Sequence, residues 1–276
     1  MKLIELLRKY KHDISSYAYF GFSNWDNMID KIENYSLHEI YPIDIDSRDE
    51  QILTFLLVCG YSIIGEAGVE KITDILTSNK NNSFHYNKLW FKPIPISPRL
   101  NEGRFHIDLA LGNISLRNDI QRLIELDIAE NSWVCFCDMK WYSDISYGIA
   151  NDIHRNQLAR AIEAALSFQR NGTYVDKIFI TLVTPEIFIN PTNKSRLYQY
   201  KFQEYMENSN HIIDDIKRSC LAKNDKDYKW FYPEMIEERT EKLSLHWMSY
   251  EYLFNEIPES PISMELKCFF EECFSC

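Results

Sequence analysis

Apolar residues along the chain alternate between helical spacing and short runs that are apolar throughout, and this alternation predicts the elements. Residues 1 to about 47 read as helical first and loop-like from about Ser36 to Asp46. From Asp49 to Ser78 the spacing predicts a strong helix that can break at Gly60 or Gly65. Lys88 to Ile96 reads as a strand, since Pro93, Pro95 and Pro98 forbid a helix there. Phe105 to Leu111 alternates into Gly112, a second strand signal. Ile120, Leu123, Ile124 and Ile128 share one helical stripe and predict a helix over Asn118 to Glu130. Trp133 to Trp141 is apolar on both faces, which marks a central strand covered on both sides. A helix from Ile149 to Phe168 stops at Asn171-Gly172, and Lys177 to Val183 is another buried strand, ended by Thr184-Pro185. Charged helical segments follow Pro191 to about Leu221 and run again from Pro233 to Leu243. Helices and strands in this order imply an α/β (α+β) fold with a mixed central sheet flanked by helices.

Composition adds compartment and partner constraints. With 276 residues, 45% apolar and 26% charged, the chain has the profile of an ordinary folded protein able to bury a real core. A formal net charge of −11 argues against non-specific coating of DNA, RNA or an anionic membrane. The first eleven residues lack the apolar core of a signal peptide. The longest apolar run, Ile52 to Ile64, falls short of the roughly 18–20 residues that span a bilayer. Seven scattered cysteines fit reduced thiols, so a cytoplasmic protein without a membrane partner is expected. Cys268, Cys273 and Cys276 have a spacing that offers three ligands to zinc or an iron–sulfur cluster. Their surroundings read instead as a short amphipathic helix whose thiols act as small hydrophobes, so neither group is expected there.

The chemically informative positions are Asp138 and Lys140. Two apart on a strand, they share a face with Val134 and Phe136 in an otherwise apolar run. Unpaired charges there would cost several kcal/mol in desolvation. Upstream, Asp108 lies in a second apolar strand, on the face of His106 and Ala110. Two strand carboxylates and a lysine are what a magnesium site needs: hard oxygen ligands, and a cation able to orient or deprotonate a water and offset phosphate charge. The alternative is a structural ion pair at a strand end. Glu66 and Glu70 fall one turn apart on the polar side of the preceding helix, either leaning over the sheet end or simply solvated. Asn156, Gln157 and Arg160 group on one side of the later helix, as phosphate- or water-orienting groups or as an ordinary surface.

This succession resembles the PD-(D/E)XK, or restriction-endonuclease-like, nuclease superfamily: a helix with Glu, Asp at a strand end, Asp-x-Lys on the next strand, a helix beginning near Gln, then a strand. The resemblance covers roughly residues 50–185. It implies a restriction-endonuclease-like core over 48–187 with an inserted helix at 113–132, a helical N-terminal extension over 1–47 and a mostly helical C-terminal extension over 188–276. It further implies Asp108 as first metal ligand, preceded by Ile107 where the motif has proline. Asp138 becomes the second ligand, Lys140 the catalytic lysine, Glu70 the helix glutamate with Glu66 as its competitor, and Gln157 the glutamine of the following helix. The interval from Asp108 to Asp138 is long for the family. The activity implied is Mg²⁺- or Mn²⁺-dependent hydrolysis of phosphodiester bonds, with in-line attack expelling the 3′ oxygen. The biological settings considered are bacterial defence and mobile elements.

The acidity is uneven. Residues 150–200 hold 6 basic and 4 acidic side chains, against 15 and 21 in 1–149 and 9 and 16 in 201–276. Arg155 and Arg160 lie in the less acidic segment. Lys88, Lys92, Arg99 and Arg104 form a second basic excess beside Trp90 and Phe91, a pattern able to track a nucleic-acid backbone and stack bases, or equally an ordinary exposed strand pair. DNA is the first substrate expectation, with RNA open. Cutting both strands favours a homodimer, and a larger defence complex is a second assembly to weigh. The competing class is a catalytically inactive, acidic, immunity-type protein that sequesters a basic partner.

Overall fold

In the computed structural model the described residues are 2–21, 24–35, 47–78, 88–99, 105–117, 123–146, 156–189, 196–218 and 234–274. Three helices, α1 (Lys2–Lys9), α2 (Lys11–Tyr17) and α3 (Asn24–Tyr35), bracket the short strand β1 (Ala18–Tyr19). The long helical stretch predicted from Asp49 divides into α4 (Ser47–Ser62) and α5 (Glu66–Thr77). The break falls at Gly65, whose φ of 78° lies in the left-handed region that glycine enters without steric cost. Then come β2 (Leu89–Phe91), β3 (Ile94–Pro95), β4 (Leu109–Gly112), β5 (Ile114–Leu116), β6 (Leu123–Leu126) and β7 (Trp133–Met139). Helix α6 (Gln157–Leu166) and the paired β8 (Gln169–Arg170) and β9 (Thr173–Tyr174) lead into β10 (Lys177–Thr184). Four helices follow: α7 (Glu186–Ile189), α8 (Leu197–Glu207), α9 (Asn210–Lys217) and α10 (Glu234–Thr240). The chain then re-enters the sheet as β11 (Leu243–Ser249) and continues into α11 (Tyr250–Asn255) and α12 (Ser263–Phe274).

The main sheet has six strands in the order β1-β2-β4-β7-β10-β11. β2, β4 and β7 form an antiparallel ladder, whereas β7, β10 and β11 run parallel and β1 runs parallel to β2. β7 is buried along its whole length, as expected of a strand covered on both faces. Trp133, Cys135, Cys137 and Met139 face a core shared with α4, α5, α11 and α12. Val134 and Phe136 face a second core built with α6, α8 and α9. Among the described residues no helix is long and apolar enough to cross a membrane.

Three sequence expectations change. No helix forms at 123–126 within the 113–132 insertion: Leu123–Leu126 is a strand, antiparallel to β5 and parallel to β3. Ile128, on the supposed helical stripe, is 51% exposed, while Leu123, Ile124 and Leu126 are buried. Short apolar runs fit either period, and pairing with two neighbouring apolar segments decides here. Residues 118–122 of that expectation lie outside the described residues. The C-terminal segment is not wholly an extension, because β11 forms the edge of the main sheet beside β10. At the opposite edge, β1 draws the N-terminal segment into the same sheet.

Arg99, expected as a nucleic-acid contact, is a buried structural ion. Its Nε and Nη2 reach the two carboxylate oxygens of Glu163 at 2.9 and 2.8 Å, and Nη2 also donates to the Ile216 carbonyl at 2.9 Å. The pair ties α6 to α9 in the second core, where Glu163 is fully buried. Removing one partner leaves a buried charge uncompensated. Arg99→Met is therefore expected to destabilise the fold by about 3–5 kcal/mol. Arg99→Met/Glu163→Leu should recover most of that loss in urea unfolding; a double variant no more stable than the single one would contradict the assignment.

Candidate active site

Strand register creates the site. Leu109 stands opposite Cys137 and Ala110 opposite Phe136, so Asp108, one residue before β4, comes opposite Asp138 of β7. Gly112 sits at the other end of the same short ladder with a φ of 119°. A Cβ there would lie 2.3 Å from the Trp133 carbonyl oxygen, so the close approach of the two strands requires glycine. Lys140 follows β7, its backbone N–H donating to the Val183 carbonyl at 2.8 Å.

Asp108 Oδ2 accepts from the Met139 N–H at 2.9 Å, and Oδ1 pairs with the Lys92 ammonium at 2.5 Å. Asp138 Oδ1 pairs with the Lys140 ammonium at 2.9 Å. The other oxygen, Asp138 Oδ2, is buried and has no hydrogen-bond partner among the described residues. On the far side of Lys140 stands Glu50, with Oε1 3.7 Å from the ammonium. Its Oε2 accepts from the Ser143 hydroxyl at 2.7 Å and the Trp141 N–H at 3.3 Å. Gln157, the first residue of α6, places Nε2 3.4 Å from Asp138 Oδ1. Its position is set by Asn156, whose side chain caps the helix by accepting from the Ala159 N–H at 2.8 Å.

A cleft of about 270 Å³ opens onto this cluster between β4, β7 and α6. Asp108, Asp138 and Gln157 line it, with Phe105 and Arg160 at its wall. The Arg160 guanidinium stacks 4.1 Å from the centroid of the Phe105 ring.

Burial and charge divide the roles of these groups. Burial alone would raise Asp108, but Lys92, Lys140 and the Met139 N–H outweigh it and hold its carboxyl below the usual carboxylate range. Burial pushes Asp138 up, the Lys140 ammonium offsets this only in part, and the Asp108 charge adds to it. Burial likewise raises Glu50, to about 7, against the pull of Lys140. Burial would lower Lys140, yet Asp138, Glu50 and Asp108 together overcome it and raise it far above the ordinary lysine value. In this arrangement Lys140 remains an ammonium.

The expected residues therefore separate. Asp108, Asp138, Lys140 and Gln157 come together, with Arg160 on the cleft wall. Glu66 and Glu70 do not join them: both are exposed on α5, on the face the helix turns away from the core. Glu50 of α4 takes the place expected of the helix glutamate, and its signal in the sequence is an acid at the start of an otherwise apolar run. Lys92, expected on nucleic acid, is engaged by Asp108 instead. Lys88 is exposed before β2. Arg104 and Arg155 lie outside the described residues, as does Cys276. Of the other two C-terminal thiols, Cys268 is exposed and Cys273 packs partly against the first core.

Glu50, Asp108 and Asp138 offer hard oxygen donors, and the buried, unpartnered Asp138 Oδ2 is the atom a small divalent cation would satisfy. The donor set thus fits Mg²⁺ or Mn²⁺ in kind. Among the described residues, however, no three His, Cys, Asp or Glu side chains already converge as a ligand group; two ammonium groups stand among the carboxylates. No protein-family model, curated protein or solved structure matches the chain.

Proposed function

We propose that the protein is a metal-dependent nuclease, hydrolysing phosphodiester bonds of DNA in the first instance, with a restriction-endonuclease-like core. One observation carries the reading: Asp108 and Asp138 line one cleft, with Lys140 and Glu50 buried behind Asp138, on elements that follow the order the resemblance implies. Helix α4 brings the glutamate, β4 the first aspartate, β7 the Asp-x-Lys pair and α6 the glutamine, and β10 lies parallel to β7. The long interval between the aspartates is taken up by the β5–β6 excursion.

Asp108, Asp138 and Glu50 would hold the cation, with Gln157 steadying the Asp138 carboxylate. When bound, the cation supplies Lewis-acid stabilisation of the charge that develops on the scissile phosphate. Lys140 stays protonated, so it donates to a phosphate oxygen or orients the attacking water rather than removing its proton. Arg160, fixed against Phe105, presents a planar cation toward a bound phosphate. Bacterial defence or a mobile element is the setting we favour, and cutting both strands would favour a homodimer.

The test is incubation of plasmid and single-stranded DNA with Mg²⁺ or Mn²⁺ and with EDTA. Cleavage in the presence of metal and none in EDTA is expected. The pairing of each aspartate with its own lysine favours the second reading, an acidic binding protein with a structural ion network. No cleavage, no cation uptake and tight capture of a basic protein would establish that reading instead.

A further inference from the structure

Lys92 is placed oddly for a merely structural lysine. It follows β2 with a φ of 51°, a left-handed conformation uncommon for a side-chain-bearing residue, and Pro93 follows it. Its backbone is fixed there from two directions: its N–H donates to the Asp108 carbonyl at 3.1 Å, and its carbonyl meets His106 Nδ1 at 3.1 Å. This geometry delivers the ammonium to Asp108 Oδ1, at a carboxylate whose other oxygen already accepts from the Met139 N–H. The Lys92 side chain is also on the wall of a second groove, of about 410 Å³, between α3, α4 and β2. His106 lines both spaces, and Lys31, Gln51 and Asp30 line the second. Lys92 therefore lines the second groove while its ammonium is paired with a carboxylate that lines the first cleft.

Charge balance says what that position does. When fully ionised, the carboxylates of Glu50, Asp108 and Asp138 are neutralised by one divalent cation together with one ammonium. A second ammonium would leave a net positive charge within a largely buried cluster, where it repels the incoming cation strongly. Lys140 is held by both Asp138 and Glu50, whereas among the described residues Lys92 pairs with Asp108 alone. Lys92 is the group that can leave.

We propose that Lys92 is an internal counter-ion that occupies Asp108 until a divalent cation binds and then swings into the neighbouring groove, so that it sets the cation affinity of the site. The proposal rests on the metal-site reading above and adds a coupling to it. It accounts for the absence of a preformed ligand group among the described residues: the carboxylates are held by ammonium groups and become available on exchange.

Two measurements on the full chain test this. Titration calorimetry with Mn²⁺ should show Lys92→Met binding at least about tenfold tighter than the unsubstituted protein. Lys92→Arg, which keeps the charge, should bind like the unsubstituted protein. Acetylation of the unsubstituted protein, read by mass spectrometry, should show Lys92 protected without metal and modified faster with Mn²⁺, while Lys140 stays protected throughout. This second measurement needs no variant and stands if Lys92→Met fails to fold. Mn²⁺ binding that is no tighter in a folded Lys92→Met, or Lys92 reactivity that ignores Mn²⁺ at saturation, overturns the exchange and leaves the metal site standing. Absence of Mn²⁺ uptake by every protein overturns both.

Discussion

Lys140→Met and Asp138→Asn are each expected to lower metal-dependent DNA cleavage by roughly 10³-fold. The reason lies in what surrounds each group. Lys140 is 4% exposed and is the shared counter-charge of Asp138 and Glu50, and among the described residues no other cation pairs with either acid. In the proposed reaction its ammonium would be the fixed donor to a phosphate or its attacking water. Asp138→Asn keeps the size and one acceptor but removes the charge and the unpartnered oxygen a cation would take. Loss of activity alone would not separate chemistry from collapse, because Lys140→Met also strips Asp138 and Glu50 of their shared counter-charge. Asp138→Leu/Lys140→Met removes acid and base together, and replacing a buried pair by apolar groups of similar volume is often neutral for stability. That double variant should melt near the unsubstituted protein and remain inactive. Cleavage surviving in it would falsify the site.

How this cluster shows itself in the sequence depends on the element that carries each member. Asp138 and Lys140 are conspicuous because β7 is apolar on both faces, so any charge in it is an anomaly. Asp108 shows for the same reason, although its place opposite Asp138 follows from register, which no local pattern reveals. Glu50 was not legible by periodicity. α4 is buried nearly all round from Leu53 to Ser62, so it has no polar face from which to read a phase. α5, with a clear polar face, drew the expectation to Glu66 and Glu70, whose charges are merely solvated. Lys92 and Arg99 mislead in the opposite way: as charges beside proline-rich loops they look exposed, and only tertiary structure reveals Asp108 and Glu163 as their partners. β11 carries an alternating signal, with Leu243, Leu245 and Trp247 on one face, but a helical pattern in α10 runs directly into it and obscures the switch of period.

Glu50→Gln is expected to make the protein more stable and less active at once. The Glu50 carboxyl, raised mainly by burial to about 7, holds its proton more tightly in the folded chain than at the ordinary glutamate value of 4.5 in the unfolded one. Between those two values the folded state binds more protons, so stability falls as pH rises through the window. Below about pH 4.5 the penalty is absent. Above pH 7 it is complete, on the order of 3 kcal/mol at most. Glutamine carries no charge to bury and keeps an acceptor for the Ser143 hydroxyl. In EDTA, thermal melts of Glu50→Gln and the unsubstituted protein should therefore nearly coincide at pH 5 and diverge toward pH 8, the variant melting higher. Activity should move the other way: with one of three carboxylate donors neutralised, cleavage in Mg²⁺ falls by roughly 100-fold, while Glu66→Gln and Glu70→Gln cleave normally. A site that gains stability when its acid is removed is being held in an electrostatically costly state, and such cost is commonly retained where function needs it. Equal melting of the two proteins at pH 8 would show that Glu50 is well solvated or fully paired; equal cleavage would remove it from the site and return the helix glutamate to α5.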